Sequence, residues 1–241
     1  MSGHSKWSQI KRKKAVTDTK RGQMFTRLIK EIAIAARLGG PDFEGNARLR
    51  LAVERARKSS MPNDNIKRAI ARGSGGEGAA AFEELVYEAY GPGGVAIMIE
   101  TATDNRNRTI GEMRHIISKY GGNIGESGSV GWMFAKKGII VIPKAGQDED
   151  KLLSIALDAG AEDLRTEDPD YFEIQTSPEQ FETVLKAINA AGIPVEEEKV
   201  GLIASTIVKV EETDAEKLSK LIEMLEENED VQNVYSNAEF A

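Results

Sequence analysis

The run Gly73-Ser74-Gly75-Gly76-Glu77-Gly78 divides the chain into two stretches whose apolar residues recur with different periods. A glycine-rich run of this kind reads as a flexible linker, so no single helix or strand crosses it. Before it the period is helical. Met24, Phe25, Leu28, Ile29, Ile32 and Ala36 recur every three or four residues up to Gly39-Gly40, and Thr17, Asp18 or Thr19 offers a cap. Asn46 is placed to cap a second helix with the stripe Leu49, Ala52, Val53 and Ala56, and Pro62 suits the start of a third in which Ile66, Ala69 and Ile70 face inward.

After the run, strand-like and helix-like segments alternate. Strands are expected at 86–90, 95–101, 130–135, 139–142, 164–166, 171–175, near Val195, at 205–210 and at 231–236, with helices at 109–120, 149–158, 178–190 and 214–227. The segment from Gly138 to Val195 reads as a complete βαββαβ unit, and the stretches on either side of it each supply about half of another. The fold class is therefore α+β: a helical N-terminal domain with a basic arm, plus two ferredoxin-like α+β domains, one inserted in the other. The expected boundaries are 1–78, then 79–135 together with 205–241, and 136–204 as the insertion.

Charge follows the same division. Through Gly75, 18 Lys and Arg stand against 6 Asp and Glu, a local charge of +12; the remainder holds 14 against 33, or −19. A polyphosphate should be drawn to the first third and repelled by the rest. The basic residues expected to neutralise phosphates are Lys6, Lys11, Arg12, Lys13, Lys14, Lys20, Arg21, Arg27, Lys30, Arg48, Arg50, Arg55, Arg57, Lys67, Arg68 and Arg72. At 100° per residue, Arg48 and Arg55 fall on one margin of the second helix's apolar stripe and Arg50 and Arg57 on the other. Trp7 either stacks on an exposed base or tucks against the first helix. No helix here announces itself as a recognition helix, so backbone or shape recognition is expected.

Other chemistry finds little footing. The chain has no cysteine, and His4 and His115 have no cysteine or carboxylate at ligand spacing. No nucleophile-base pair or cofactor fingerprint appears, so neither an enzyme nor a cofactor is expected. Runs such as Asp148-Glu149-Asp150 and Glu196-Glu197-Glu198 put neighbouring carboxylates on different faces and read as solvated charge. Gly121-Gly122-Asn123 and Gly125-Glu126-Ser127-Gly128 lack the lysine and spacing of a phosphate-binding loop and read as turns. The first 14 residues lack the apolar middle of a secretory signal, and no apolar run approaches the roughly 20 residues of a membrane span. The expected location is the cytoplasm, with no membrane partner.

Several words of the sequence are more specific. Gly3-His4-Ser5-Lys6-Trp7, the Lys30-Glu31-Ile32 to Arg37 helix ending in Gly-Gly, and Met61-Pro62-Asn63-Asp64-Asn65-Ile66 are three. Tyr90-Gly91-Pro92-Gly93-Gly94-Val95, Thr103-Asp104-Asn105-Arg106-Asn107-Arg108-Thr109 and Lys119-Tyr120-Gly121-Gly122-Asn123 are three more. Together they resemble the YebC/PmpR family along the whole chain. Phe43, Ser60 and Trp132 depart from that pattern. The resemblance implies a helical domain plus two α+β domains and a regulator of gene expression. Members are usually described as DNA-binding transcriptional regulators, while a mitochondrial relative activates translation and bacterial relatives have been connected to ribosomes. The expected partner is thus DNA, with ribosomal RNA or the ribosome as the alternative. A small-ligand sensor is a second alternative, by fold analogy alone.

Asp104-Asn105-Arg106-Asn107-Arg108 is a second candidate contact. Asp104 is placed to cap the helix that follows, and Arg106 and Arg108 then crowd its first turn, where positive charge opposes the helix dipole. Either these residues bind an anion or RNA, or the arginines pair with carboxylates of the protein's own surface.

Overall fold

The computed structural model describes residues 18–75 and 81–240, with side chains from Gly22 onward in the first helix. The described residues form two compact units, one made of 132–209 and 237–240, the other of 18–75, 81–131 and 210–236.

In the larger unit, helices α1 (Asp18–Gly39), α2 (Ala47–Lys58) and α3 (Asn63–Gly73) pack around Leu28, Ile32, Ala36, Leu49, Val53, Ala56 and Ile66. Asn46 caps α2 by accepting the Leu49 N–H at 3.0 Å. Gly73 lets α3 close on α1, since a Cβ there would lie 2.1 Å from the Ala33 carbonyl oxygen. Residues Ile32 to Ala36 are all buried, so α1 is enclosed on more than one side. Ala33 and Ile34, which point away from the helical core, pack with Phe82 and Ala102 of the neighbouring α+β layer.

That layer is a four-stranded antiparallel sheet in the order β3-β1-β2-β9, from β1 (Glu83–Tyr90), β2 (Ala96–Thr103), β3 (Asn123–Ile124) and β9 (Val231–Ser236). Strands β1 and β2 form a hairpin over Gly91-Pro92-Gly93-Gly94, with Tyr90 opposite Ala96. Helix α4 (Arg106–Lys119) follows β2, and α7 (Glu212–Glu227) leads into β9. This sheet opens on a hairpin and not on a βαβ crossover. Its connectivity therefore differs from the ferredoxin-like expectation while giving the same count of two helices and four strands.

The 132–209 unit does have the split βαβ order. Strands β4 (Phe134–Pro143), β5 (Asp163–Arg165), β6 (Tyr171–Thr176) and β7 (Glu197–Ala204) lie in the order β5-β6-β4-β7, all antiparallel. Helices α5 (Glu149–Asp158) and α6 (Phe181–Ala190) bury Leu152, Ala156, Phe181, Val184 and Ile188 against Ile140, Ile142, Phe172 and Ile174. The sequence suggested two strands broken at Gly138, but β4 runs through it. A Cβ at Gly138 would sit 2.2 Å from the Thr176 hydroxyl and 2.6 Å from the Phe181 ring, so the glycine makes room within the strand. The strand expected at 130–135 is largely a short 3-10 turn at Gly131–Met133, and the one expected at 205–210 shortens to β8 (Val208–Val210). Residues 238–240 form β10 and pair with β8, outside the sheet that β9 joins.

Candidate nucleic-acid interface

The helical module sorts its cations by direction. On one margin of α2 the Arg48 guanidinium bonds the Glu84 carboxylate on β1, and Arg55 meets Glu31 on α1 at 3.2 Å. The bonds to Glu84 hold the Arg48 pKa above its ordinary value. On the other margin Arg50 donates to the Phe43 carbonyl at 3.0 Å, and the exposed Arg57 meets no carboxylate among the described residues. On α3, Lys67 is exposed, and the exposed Arg68 bonds only within its own helix, to the Asp64 carbonyl and the Asn65 side chain. Arg37 and Lys58, at the ends of α1 and α2, are exposed as well.

Several residues expected on this surface are consumed inside. Lys30 is 6% exposed; its ammonium lies 2.6 Å from Asp230 and donates to the Glu229 carbonyl at 2.7 Å. A buried ammonium locked to a carboxylate is closed to a phosphate, which corrects the expectation for Lys30. Arg27 donates to the Glu226 carbonyl, and burial pushes its pKa down, with Glu226 opposing. Arg72 lies 3.2 Å from Asp104 and stacks 3.7 Å from the centre of the Phe82 ring. Lys6, Trp7, Lys11, Arg12, Lys13 and Lys14 lie outside the described residues, as do the side chains of Lys20 and Arg21.

The second candidate resolves differently. Asn105, not Asp104, caps α4, accepting the Arg108 N–H at 3.1 Å. Asp104 is left to accept from Arg72 and Arg108, each at 3.2 Å. Arg108 also reaches Asp230 at 2.9 Å, and its pKa is raised, first by that bond. Two carboxylates thus offset the dipole cost of a cation in the first helical turn. Arg106 and Asn107 remain exposed.

Asp230 is the shared acceptor, bonded by Lys30, Arg108, Thr103 and Thr109. Burial alone would raise its pKa, but the bonds from Lys30, Arg108 and Thr109 hold it down to about 2. Nothing near Asp230 in sequence signals this role, because Lys30 is 200 positions away. Lys30, Arg72, Asp104, Arg108 and Asp230 line an open cleft of about 720 Å³, and these charges are paired with one another.

The Gly125–Gly131 loop does form an anion-binding concavity, and the protein fills it itself. The N–H groups of Gly128, Val130 and Gly131 donate to the Glu88 carboxylate at 2.7, 2.7 and 2.8 Å. Desolvation raises the Glu88 pKa, and these backbone bonds outweigh it, for a net lowering. Among the described residues no group of three or more His, Asp or Glu is placed to hold a metal ion, and no helix is long and apolar enough to cross a membrane.

Comparison with known proteins places this architecture. Residues 5–76 match the TACO1/YebC protein N-terminal domain, and 82–238 match the TACO1/YebC second and third domain. A probable transcriptional regulatory protein of Chlorobaculum tepidum is 55% identical over 241 residues, covering 100% of this chain and 96% of its own. Another from Desulforamulus reducens is 55% identical over 241 residues, covering 99% of each. The crystal structure of a conserved hypothetical protein from Aquifex aeolicus superposes with a TM-score of 0.87 at 44% identity, covering 98% of each chain. The names of the two relatives describe regulators, not enzymes. The chain belongs to the TACO1/YebC family of regulatory proteins.

Proposed function

We propose that this protein regulates gene expression by binding the phosphate backbone of nucleic acid through the solvent-facing side of its helical module. The observation that carries the reading is the directional sorting of charge on α2. All four arginines of α2 are exposed, but Arg48 and Arg55 are paired with Glu84 and Glu31, whereas Arg50 and Arg57 meet no described carboxylate and are joined by the exposed Lys67 and Arg68 of α3. Arg57 and Lys67 are flexible cations suited to phosphate, and Arg50 and Arg68 are held only by the Phe43 carbonyl and by their own helix, not by the rigid side-chain networks that base readout requires. Sequence-tolerant binding follows.

The relatives' names favour DNA as the target. One observation favours ribosomal RNA as a second reading. The residues after Gly75 carry −19 overall, a charge that a long duplex running past the molecule would meet unfavourably. Co-sedimentation with ribosomes, run beside a duplex titration at matched physiological salt, separates the two. The transcriptional reading expects duplex binding without ribosome retention. Retention on ribosomes with weak, sequence-blind duplex binding selects the RNA target, and binding to neither rejects the proposal.

A further inference from the structure

The corner joining α1 to α2 carries side chains that phosphate binding does not use. Leu38 in the last turn of α1 is 63% exposed, Phe43 in the loop 37%, and Leu51 on α2 40%. The loop that holds Phe43 is tightly tied. The Asp42 carboxylate accepts the N–H groups of Glu44 and Gly45 at 3.2 and 3.3 Å. The Asn46 amide donates to the Ala35 and Gly40 carbonyls, both at 2.8 Å, and Arg50 fastens the Phe43 carbonyl from α2. More than a third of Phe43 is left to water on this tied loop, so part of its apolar surface is not buried by the protein itself. In return, little ordering of the loop remains to be done when a partner covers the ring.

The charge around the ring says what that partner is. Arg37 in the last turn of α1 and Arg50, which bonds the Phe43 carbonyl, are both exposed, and Arg57 continues the margin of α2 on which Arg50 lies. Aromatic faces interleaved with cations are the chemistry that holds unpaired nucleotides: the base stacks on the ring while its phosphates meet the guanidinium groups. In a duplex the base faces are already stacked on each other, so the ring has nothing to engage.

We propose that Phe43, with Arg50 bonded to its carbonyl, is a stacking site for an unpaired base, and that the protein prefers single-stranded nucleic acid to duplex. The proposal rests on the phosphate-binding reading above and narrows its substrate. The test measures binding of the full chain to a labelled single strand of about 12 nucleotides and to a duplex of the same length at one salt concentration. Phe43→Ala should weaken the single strand by roughly 5- to 100-fold and the duplex by less than about 2-fold, and Phe43→Tyr, which keeps the ring, should restore single-strand binding. The double variant Arg57→Ala/Lys67→Ala should weaken both ligands. If that double variant weakens both while Phe43→Ala weakens neither, or both equally, the stacking site is rejected and the phosphate reading stands. If the wild-type chain binds neither ligand, both proposals fall.

Discussion

On one margin of α2, Arg48 and Arg55 end on Glu84 and Glu31; on the other, Arg50 and Arg57 project where no described carboxylate meets them. Both margins look alike in sequence, since each is a pair of arginines seven residues apart beside one apolar stripe. Packing makes the difference. All four are exposed, but the first pair lies beside Glu84 of β1 and Glu31 of α1, and the second pair has no described carboxylate within reach. A charge counted along a chain is thus not a charge available to a ligand. The same lesson holds on α1, where Lys30 and Arg27 reach acceptors at the α7–β9 junction.

The comparison is broken most forcefully at Lys30. Replacing it with alanine leaves the Asp230 charge buried with fewer partners, and removal of one partner of a buried pair costs about 3–5 kcal/mol. Urea unfolding of Lys30→Ala should show a loss of this order; a loss under about 1 kcal/mol would mean that Lys30 is not locked inside.

Acid reads the same cluster from the other side. The folded Asp230 pKa, about 2, lies below the ordinary carboxylate value, so its stabilisation is present above about pH 4 and is lost as pH falls from there through about 2. The contribution is on the order of 2 kcal/mol. Asp230→Asn should flatten the stability profile in that window relative to wild type, and an unchanged slope there would remove Asp230 from the account.

Smaller effects sharpen the contrast between the two margins. Arg48→Ala loses a partly exposed ion pair and should cost about 0.2–1 kcal/mol in thermal or urea unfolding. Arg57→Ala, with no such partner, should stay within about 0.5 kcal/mol of wild type. Equal losses at the two sites would erase the distinction.

Much of this was legible in sequence. The three helices follow from their apolar periods, and the cap at Asn46 follows from its residue type and position. The βαββαβ order of the 132–209 unit follows from the alternation of rhythms. Other features were hidden because their causes are distant. Gly138 looks like a strand boundary until Thr176 and Phe181 are seen crowding it. Asp104 and Asn105 are both good caps by residue type, and the demand of Arg72 and Arg108 on Asp104 leaves the cap to Asn105. The helical period picks out only Ile32 and Ala36 of the run from 32 to 36; Ala33 and Ile34 are buried because Phe82 and Ala102 pack on another side of α1. Of the interface, sequence supplied the residue types and the two margins of α2. Which margin has its charges paired depends on Glu84 and Glu31, and only the fold reveals it.

The central claim is that the outward cations meet phosphates, and the salt dependence of binding tests it most directly. With about six phosphates neutralised, log affinity against log salt for duplex should have a slope near −5, and Arg50→Ala/Arg57→Ala should bring it to about −3.6, while Arg48→Ala/Arg55→Ala leaves it near the wild-type value. A wild-type slope near zero, or equal changes from the two double variants, would contradict the account.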